Sequence, residues 1–453
     1  MTHLEAPIEY PWIRPERPLR KAHRFTMTPS THLSAATART SAPTISSLMK
    51  LALERPEIVS LAAGFVDQQS LPVEITARAA AQVLGDEPAG KAALQYGTTI
   101  GDEALRAIIV ERLEVQHGVP PGTYRQAVNR TVLTTGSAQL IYLIGEALLD
   151  PGDIVIVESP TYFVFLGPLE TRGARAVRTP IDGDGLRLDE LEKTFERLRD
   201  EGSLDRVKLV YTIPEHANPT GISLAVDRRK GLVELVRRWS EAAGRRIHIL
   251  EDSAYHGLSY GRPEADSLWS RDPEGESVIL ARTFSKTFSP GMKLGYGVLP
   301  KDLVDPVLTL KGNHDFGTSN FVQKLIRLVL ANGDYDRHVE CLKAVYARKR
   351  DVFVEALERY FEPIRDRVSW TRPSGGLYVW MTLPEHVDAG FDGPLFPRCL
   401  SEGVIYVPGE YAFAPEPTPP PKHHLRLSFG VPDEAALVEG ARRLAEAVRA
   451  TLE

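Results

Sequence analysis

The stretch between residues 153 and 283 decides the fold, because it contains four short runs rich in valine and isoleucine: DIVIVE (153–158), VKLVYT (207–212), RIHILE (246–251) and SVILART (277–283). The runs are continuous rather than alternating, which is typical of strands buried on both faces of a sheet. Between them, residues 188–198 and 232–239 repeat apolar side chains on one helical face. This alternation predicts an α/β fold with a mostly parallel sheet covered by helices.

The patterns change towards the end of the chain. Residues 318–360 predict one long helix, and two short strands follow, LYVWMTL (377–383) and HLRLSFG (424–430). A last helix is predicted at 434–452, so this part is expected to form a smaller α+β domain. The segment PEPTPPPKHH (415–424) is predicted to be a loop, because proline cannot donate to a central ladder.

The composition excludes several classes of protein. Of the 453 residues, 43% are hydrophobic and 25% charged, which is typical of a globular chain and not of a disordered one. The net charge of −6 argues against a nucleic-acid partner. The only cysteines, Cys341 and Cys399, form no CxxC motif, so neither a metal site nor a disulfide scaffold is expected.

No membrane partner is expected either. The longest apolar stretch, 140–149, is interrupted by Glu146 and is shorter than the ~20 residues that a spanning helix needs. Residues 1–43 are polar and include Pro7, Pro11, Pro15 and Pro18, so they are interpreted as an N-terminal arm. Because the first thirty residues lack an apolar run, a signal peptide is not expected, and the predicted location is cytoplasmic.

The segment RTFSKTFSPGMKLGYG (282–297) is the strongest indication of chemistry. Lys286 follows a buried strand and lies among small hydroxyl residues, including Thr283 and Ser285. An amine in a polar, phosphate-friendly pocket is what a Schiff-base lysine requires. An anion-binding loop without a covalent role fits the same residues, and this segment alone leaves both interpretations open.

Two further segments place polar residues after predicted strands. Asp252 in ILEDSAYHG (249–257) follows one strand directly, and Asn218 in PEHANPTG (214–221) follows another. The interval from Asn218 to Asp252 equals that from Asp252 to Lys286, and each is about one strand–helix–strand unit. Parallel α/β sheets bind ligands at the carboxyl ends of their strands. Taken separately, however, a helix cap and a plain turn explain Asp252 and Asn218 as well.

Two other segments give weaker signals. In TTGSAQLIYLIGEALL (134–149), the residues Gly136 to Gln139 open an apolar helix, whose exposed N–H groups suit a phosphate. A plain capped helix start is the alternative. In ESPTYFVF (158–165), Tyr162 follows a strand end and is either a stacking residue or part of the core.

Together, NPTG, D-x-x-Y and S-K-T-x-x-P-G resemble the class I/II aminotransferases, which are fold-type-I enzymes dependent on pyridoxal 5′-phosphate, and in particular the 2-aminoadipate and kynurenine aminotransferases. The similarity covers roughly residues 44–450. It implies a large domain (71–315) with a mostly parallel seven-stranded sheet covered by helices. It also implies a smaller α+β domain (316–453), to which residues 44–70 contribute an N-terminal segment.

The resemblance also implies roles for individual residues. Lys286 would carry pyridoxal phosphate as a Schiff base and move the substrate proton, and Asp252 would pair with the ring nitrogen. The ring oxygen would be held by Asn218 and Tyr255, the ring face by Tyr162, and the phosphate by Ser137, Ala138, Gln139, Thr283, Ser285, Lys293 and the partner subunit's Tyr96. Arg426 would bind the substrate carboxylate as a planar fork, with Gly64 giving the backbone room to approach.

Three residues depart from the family pattern. Lys293 replaces a usual arginine, which keeps the charge and loses the rigid fork. Ser46, in PTISSLMKL (43–51), stands where the aminoadipate subgroup often has an arginine, which argues against that specificity. His216 replaces a more usual glutamine or phenylalanine, and is interpreted as a pocket-lining residue or, alternatively, as a substrate contact.

The leading hypothesis is an aminotransferase that moves an amino group from an L-amino acid to a 2-oxo acid, 2-oxoglutarate being the expected acceptor, by ping-pong chemistry. The alternative is another reaction with the same cofactor, such as oxidation, cyclisation, decarboxylation or elimination, because a fold does not decide a reaction. A DNA-binding regulator with an aminotransferase-like domain is disfavoured, since residues 1–43 are too short for its winged-helix module. The resemblance further implies a homodimer.

Overall fold

The structure is a computed structural model that describes residues 32–41, 48, 50–52, 54–272 and 274–453. Most of the predicted arm, and Ser46, therefore lie outside the described residues. The α-helices span Ala35–Arg39, Val73–Gly85, Glu87–Leu94, Glu103–Gln116, Gly136–Leu148, Phe163–Arg172, Leu188–Asp200, Val226–Ala242, Val304–Asp315, Asn320–Ala331, Asp334–Phe361, Leu395–Ser401 and Glu434–Leu452. The strands are β1 (Val59–Ser60), β2 (Thr131–Thr134), β3 (Ile154–Ser159), β4 (Arg175–Asp182), β5 (Gly185–Leu186), β6 (Val207–Thr212), β7 (His248–Asp252), β8 (Val278–Thr283), β9 (Gly295–Val298), β10 (Ser369–Trp370), β11 (Tyr378–Thr382), β12 (Val404–Ile405), β13 (Val407–Pro408) and β14 (His424–Ser428).

The large sheet has the strand order β2-β9-β8-β7-β6-β3-β4-β5. The five strands from β8 to β4 are parallel neighbours, whereas β9 is antiparallel to both β2 and β8. This confirms the predicted α/β fold with a mostly parallel sheet. The sheet has eight strands rather than seven, because the two-residue β5 folds back onto the end of β4.

Side chains alternate between the two faces of the sheet, and this alternation positions the site. In β7, Ile249 belongs to the core that includes the helices 103–116 and 226–242, whereas Leu250 belongs to the core that includes the helix 136–148. Asp252 therefore points to the same face as Leu250. The parallel strands β6, β7 and β8 all end at the same edge, which brings the loops that follow them together.

The predicted helix at 318–360 is two helices, Asn320–Ala331 and Asp334–Phe361. The break lies at Asn332, which caps the first helix, and at Gly333, whose φ of +75° is left-handed. Glycine reaches this conformation without a steric penalty, which explains why the helix ends there. None of the helices within the described ranges is both long and apolar enough to cross a bilayer.

Residues 59–61 pack against elements from the C-terminal part of the chain. Strand β1 pairs in parallel with β12, and Leu61 packs in one core with residues of the last helix, Glu434–Leu452. Next to them, β10, β11, β14 and β13 form an antiparallel sheet. The assignment of residues 44–70 to the small domain and the boundaries at 71 and 316 stay predictions.

Candidate active site

The loops after three parallel strands bring the predicted polar residues together. Asp252 is the last residue of β7, Asn218 follows β6, and Lys286 follows β8. Arg426 reaches the same place from β14 of the small sheet, where its guanidinium bonds the Asn218 side chain. The equal spacing of the three residues in the sequence thus corresponds to neighbouring strand ends.

Asp252 presents an unsatisfied carboxylate oxygen. Only 4% of the residue is exposed, and its Oδ2 accepts a hydrogen bond of 2.8 Å from the Tyr211 hydroxyl. Its Oδ1 is buried without a partner. Burial raises the pKa of Asp252 to about 6. A buried carboxylate oxygen without a partner is unfavourable, so this atom is suited to a donor that the protein does not itself supply.

Lys286 is half-buried on the loop after β8, where Tyr378 and Arg426 act on it. Its Nζ donates to the Gly64 carbonyl oxygen over 2.7 Å. Burial lowers the pKa of Lys286, and the positive charges of Arg426 and Lys293 lower it further. A lysine must lose a proton to act as a nucleophile or base, so these surroundings favour a reactive amine.

Arg426 is held rigidly, and one of its three nitrogens has no partner. It is 2% exposed, its Nη1 donates to Asn218 Oδ1 over 3.1 Å, and its Nη2 donates to the Ala62 carbonyl over 2.6 Å. The guanidinium lies 4.5 Å from the ring centre of Tyr378 and 5.3 Å from that of Phe163. Its Nε is buried without a partner. The plane of the guanidinium is thus fixed by two bonds and two rings, as anion recognition requires.

Tyr255 meets a tyrosine that sequence analysis did not select. The Tyr255 hydroxyl donates to the Tyr378 hydroxyl over 3.2 Å, and both side chains are almost fully buried. Tyr378 belongs to β11, which pairs with β14 so that Trp380 is opposite Arg426. Residues two apart on one strand share a face, so this register places Tyr378 on the same face as Trp380, and no pattern within the sequence alone indicates it.

The start of the helix Gly136–Leu148 lies beside the end of β8. Gly136 has a φ of +72°, and its neighbour Ser137 is half-buried at the first turn. A side chain at Gly295 of β9 would clash with this turn, since its Cβ would lie 2.7 Å from the Ser137 amide nitrogen. The N–H groups of Ser137 and Ala138 belong to the first turn, whose amides have no partner within the helix.

Two hydroxyl residues lie beside this helix start. Thr283 Oγ1 and Ser285 Oγ are 2.8 Å apart, and a Cβ on Gly136 would lie 4.0 Å from Thr283 Oγ1. The Gln139 side chain, by contrast, turns away, because its Nε2 bonds Asp315 and its Oε1 accepts from the Thr135 amide. The backbone of Gln139, rather than its side chain, is therefore placed to contribute to an anion site.

Two predicted residues are exposed. Lys293 adopts a left-handed φ of +49° at the end of the turn 290–292, and its side chain is accessible. Tyr96 is 81% exposed and contacts the edge of Phe316, which is itself 59% exposed. Two large apolar side chains exposed side by side are typical of an interaction surface.

Tyr162 and His216 have different surroundings. Tyr162 precedes the helix Phe163–Arg172 and is half-buried, and burial together with Asp252 raises its pKa. His216 is 4% exposed, with Nε2 2.9 Å from Ser259 Oγ and Nδ1 3.3 Å from Ser223 Oγ. Both ring nitrogens thus have serine partners, which favours the interpretation of His216 as a structural residue.

Glu215, His256 and Glu264 bring their ligand-type atoms within 4.8 Å of one another, in the part of the chain that the structure describes. His256 Nδ1 lies 3.1 Å from Glu215, and Arg229 lies 3.9 Å from the same carboxylate. Because a guanidinium already faces this buried acid, the cluster is explained as a set of ion pairs.

These residues fit pyridoxal phosphate. The buried Asp252 oxygen lacks a donor, and a protonated ring nitrogen is one. The turn at Gly136 and the two hydroxyl residues beside it suit a phosphate. Lys286 follows the same strand as these hydroxyl residues, and the pKa of its amine is lowered.

Replacing Asp252 by asparagine is expected to stabilise the cofactor-free protein at neutral pH. The folded protein holds the Asp252 proton up to about pH 6, whereas the unfolded chain releases it near 3.8, so stability falls as the pH rises through this interval. Because an asparagine side chain does not ionise, Asp252→Asn should gain about 3 kcal/mol in free energy of unfolding at pH 7 and nothing below pH 4. Urea titrations of both cofactor-free proteins at these two pH values measure the difference. If Asp252→Asn increased the free energy of unfolding equally at both pH values, the stabilisation would not come from removing the buried charge of Asp252.

Comparisons with known proteins agree with the family that the sequence resembles. The sequence model of the family "Aminotransferase class I and II" matches residues 56–444. The chain is 34% identical to aromatic-amino-acid aminotransferase 1 of Thermococcus litoralis, covering 89% of this chain and 91% of that protein. It is 33% identical to the 2-aminoadipate transaminase of Thermus thermophilus, covering 91% and 96%. The crystal structure of Pyrococcus horikoshii kynurenine aminotransferase superposes with a TM-score of 0.83 at 32% identity, over 93% of this chain and 98% of that one.

The chain belongs to the class I and II aminotransferases. The predicted family, the fold-type-I architecture and the aminotransferase activity are thereby confirmed, and pyridoxal phosphate is the cofactor. The relatives include both the aminoadipate and the kynurenine enzymes that the sequence resembles.

Proposed function

We propose that this aminotransferase moves the amino group of an L-amino acid to 2-oxoglutarate, at the pocket formed by Lys286, Asp252 and Arg426. The observation that carries the proposal is the meeting of three groups: an amine with a lowered pKa, a buried carboxylate oxygen without a partner, and a fixed guanidinium with a free Nε. They correspond to proton transfer, cofactor binding and recognition of a substrate carboxylate.

Bound pyridoxal phosphate supplies an aldehyde that takes up the amino group and a ring that withdraws electrons from the substrate. Asp252 would hold the ring nitrogen through its free Oδ1, while the bond from Tyr211 keeps the carboxylate in place. Pairing with this cation would stabilise the ionised form of Asp252 and so reverse the effect of burial on its pKa.

The proton would be moved by the Lys286 amine. Its bond to the Gly64 carbonyl orients Nζ, and its lowered pKa makes the neutral amine available as a general base. Tyr255 and Asn218 would hold the ring oxygen, and Tyr162 would cover the ring face.

Arg426 would bind the α-carboxylate that amino acids and 2-oxo acids share. Asn218 and Ala62 fix the guanidinium, and Tyr378 and Phe163 lie against it. Such a fork accepts a carboxylate in one orientation, which would place the α-carbon near the Lys286 amine.

The phosphate would be bound at the helix start by the amides of Ser137, Ala138 and Gln139. The hydroxyls of Thr283 and Ser285 would add donors, and Lys293 a positive charge. Because Lys293 has an ammonium where the family usually has a guanidinium fork, the amides and hydroxyls become more important for binding the phosphate.

A panel of amino donors tests this function. The purified holoenzyme would be incubated with 2-oxoglutarate and an aromatic amino acid, 2-aminoadipate, kynurenine or alanine, and glutamate formation measured with identification of the oxo acid. At least one donor should yield glutamate and its oxo acid in equal amounts. Ammonia release or oxygen consumption without an acceptor would instead indicate another reaction of the same cofactor, and glutamate from no donor would contradict the choice of acceptor.

We further propose a homodimer in which Tyr96 completes the neighbouring site. The exposed pair of Tyr96 and Phe316 supports this arrangement. The variants Lys286→Ala and Tyr96→Ala are each expected to be impaired, whereas a mixed dimer contains one site with both native residues. Unfolding and refolding equal amounts together should restore about a quarter of wild-type activity, since half of the random dimers are mixed.

Measuring the activity of the refolded mixture against each variant refolded alone checks this prediction. Activity no greater than the average of the two variants would show that Tyr96 acts within its own subunit or not at all.

A further inference from the structure

Two phenol hydroxyls meet beside the reactive lysine. The Tyr255 hydroxyl donates to the Tyr378 hydroxyl over 3.2 Å, and their rings cross at 84° with centres 5.8 Å apart. Tyr378 is 1% exposed and Tyr255 4%. Since the pair is closed off from solvent, the position of the hydroxyl protons is decided by protein groups.

The surroundings hold the Tyr378 hydroxyl in one place. Its ring lies 4.5 Å from the Arg426 guanidinium. Gly64 leaves room for the hydroxyl, because a Cβ there would lie only 2.7 Å from the Tyr378 oxygen. The same Gly64 accepts the Lys286 bond with its carbonyl, so Tyr378 and Lys286 share a neighbour.

The charged groups that act on the pair come from separate elements. Arg426 extends from β14 and Lys286 from the loop after β8, and Tyr162 adds a third phenol next to Tyr255. Burial raises the pKa of a phenol, but Arg426 and Lys286 outweigh it at Tyr378, whose pKa lies below its ordinary value. The pKa of Tyr255 is raised by burial and by Tyr378. Tyr378 is therefore the more acidic partner and the better proton donor of the two.

We propose that Tyr378 is a positioning residue that acts on the cofactor through Tyr255. The proposal rests on the proposed function, in which Tyr255 donates to the ring oxygen of pyridoxal phosphate. A phenol hydroxyl has one proton and two lone pairs. When Tyr255 donates its hydrogen bond to the ring oxygen instead of to Tyr378, the lone pairs of the Tyr255 oxygen are available to accept one. Tyr378 lies at hydrogen-bonding distance to donate it.

Such a chain of donors strengthens each bond in it. A stronger bond to the ring oxygen withdraws negative charge from the ring. The nitrogen that links the cofactor to Lys286 then loses its proton at a lower pH, because less negative charge stabilises the protonated form. Tyr378 should thus keep this linkage deprotonated at a lower pH than Tyr255 alone would.

The test is the pH midpoint at which the visible absorbance of the holoenzyme changes, without substrate. Tyr378→Phe removes one oxygen atom and should raise this midpoint by roughly half a pH unit to one unit. Tyr255→Phe should raise it at least as far, and adding Tyr378→Phe to Tyr255→Phe should produce no further shift. Tyr406→Phe, which removes a buried hydroxyl bonded to the Ala389 carbonyl in the same domain, is the matched control and should leave the midpoint unchanged.

Each outcome decides one point. If the wild-type holoenzyme shows no visible absorbance from a cofactor bound at Lys286, the proposed function fails. If it shows this absorbance but no pH midpoint, the inference about Tyr378 is overturned. If wild type titrates normally and the Tyr378→Phe midpoint is unchanged, or if its shift persists in the Tyr255→Phe background, the inference about Tyr378 is overturned. Should Tyr378→Phe fail to fold, Gly64→Ala displaces the same hydroxyl and is expected to raise the midpoint as well.

Discussion

Replacing Lys286 by alanine is expected to abolish transamination, with a loss on the order of 10⁴-fold or more in kcat, because the variant lacks both the covalent attachment and the proton-transferring amine. Lys286 is the amine whose pKa is lowered by burial and whose Nζ is oriented on Gly64. Steady-state turnover with the best donor measures the loss.

The matched control is Lys301→Ala, which removes an exposed lysine and should leave turnover unchanged. A second measurement locates the attachment directly. Borohydride reduction of the wild-type holoenzyme, followed by peptide mapping, should modify the segment 282–297 at Lys286. A modified lysine elsewhere, or substantial turnover by Lys286→Ala, would overturn the proposed site.

Replacing Arg426 by lysine is expected to reduce kcat/KM by about 10²-fold for the amino acid and for the oxo acid alike, since both carry the carboxylate. The ammonium keeps the charge, but it cannot reproduce the fork that Asn218 and Ala62 hold in place. Most of the loss should be in KM, because the cofactor and the Lys286 amine stay in the pocket.

Kinetics of each half-reaction, measured separately, check this prediction. Arg372→Lys is the control, because this side chain is 64% exposed on the same domain. Equal losses in both half-reactions support carboxylate recognition. A loss of kcat/KM confined to one half-reaction would mean that Arg426 binds a side-chain group of one substrate. A loss of bound cofactor would mean that Arg426 stabilises the pocket instead.

Much of the large domain could be predicted from local patterns. The strand runs and the helix start at Gly136 are signals within single segments. The strand runs, together with the equal intervals between polar residues, predicted Lys286, Asp252 and Asn218 after successive strands. The helix end at 332–333 was also predictable, because Asn-Gly is a common helix end, and the prediction of one continuous helix over 318–360 is wrong.

Other parts of the site depend on pairings that the sequence does not state. Tyr378 enters the pocket only because β11 and β14 align in one register. The Gln139 side chain bonds Asp315. This orientation could not be predicted, because Asp315 belongs to a helix much later in the chain. Strand β1 is too short to form a periodic signal, so its partner β12 could not be predicted.

The pairing of β1 with β12 has a consequence for how the enzyme is made. Val59 pairs with Val404, so the two partners come from opposite ends of the sequence. The short segment after β1 supplies the carbonyls of Ala62 and Gly64 on which Arg426 and Lys286 rest. During translation, β1 therefore cannot pair with β12 until nearly all of the polypeptide has left the ribosome. A truncated product ending before residue 404 would possess Lys286 and Asp252 and yet lack the strand that holds their surroundings in place.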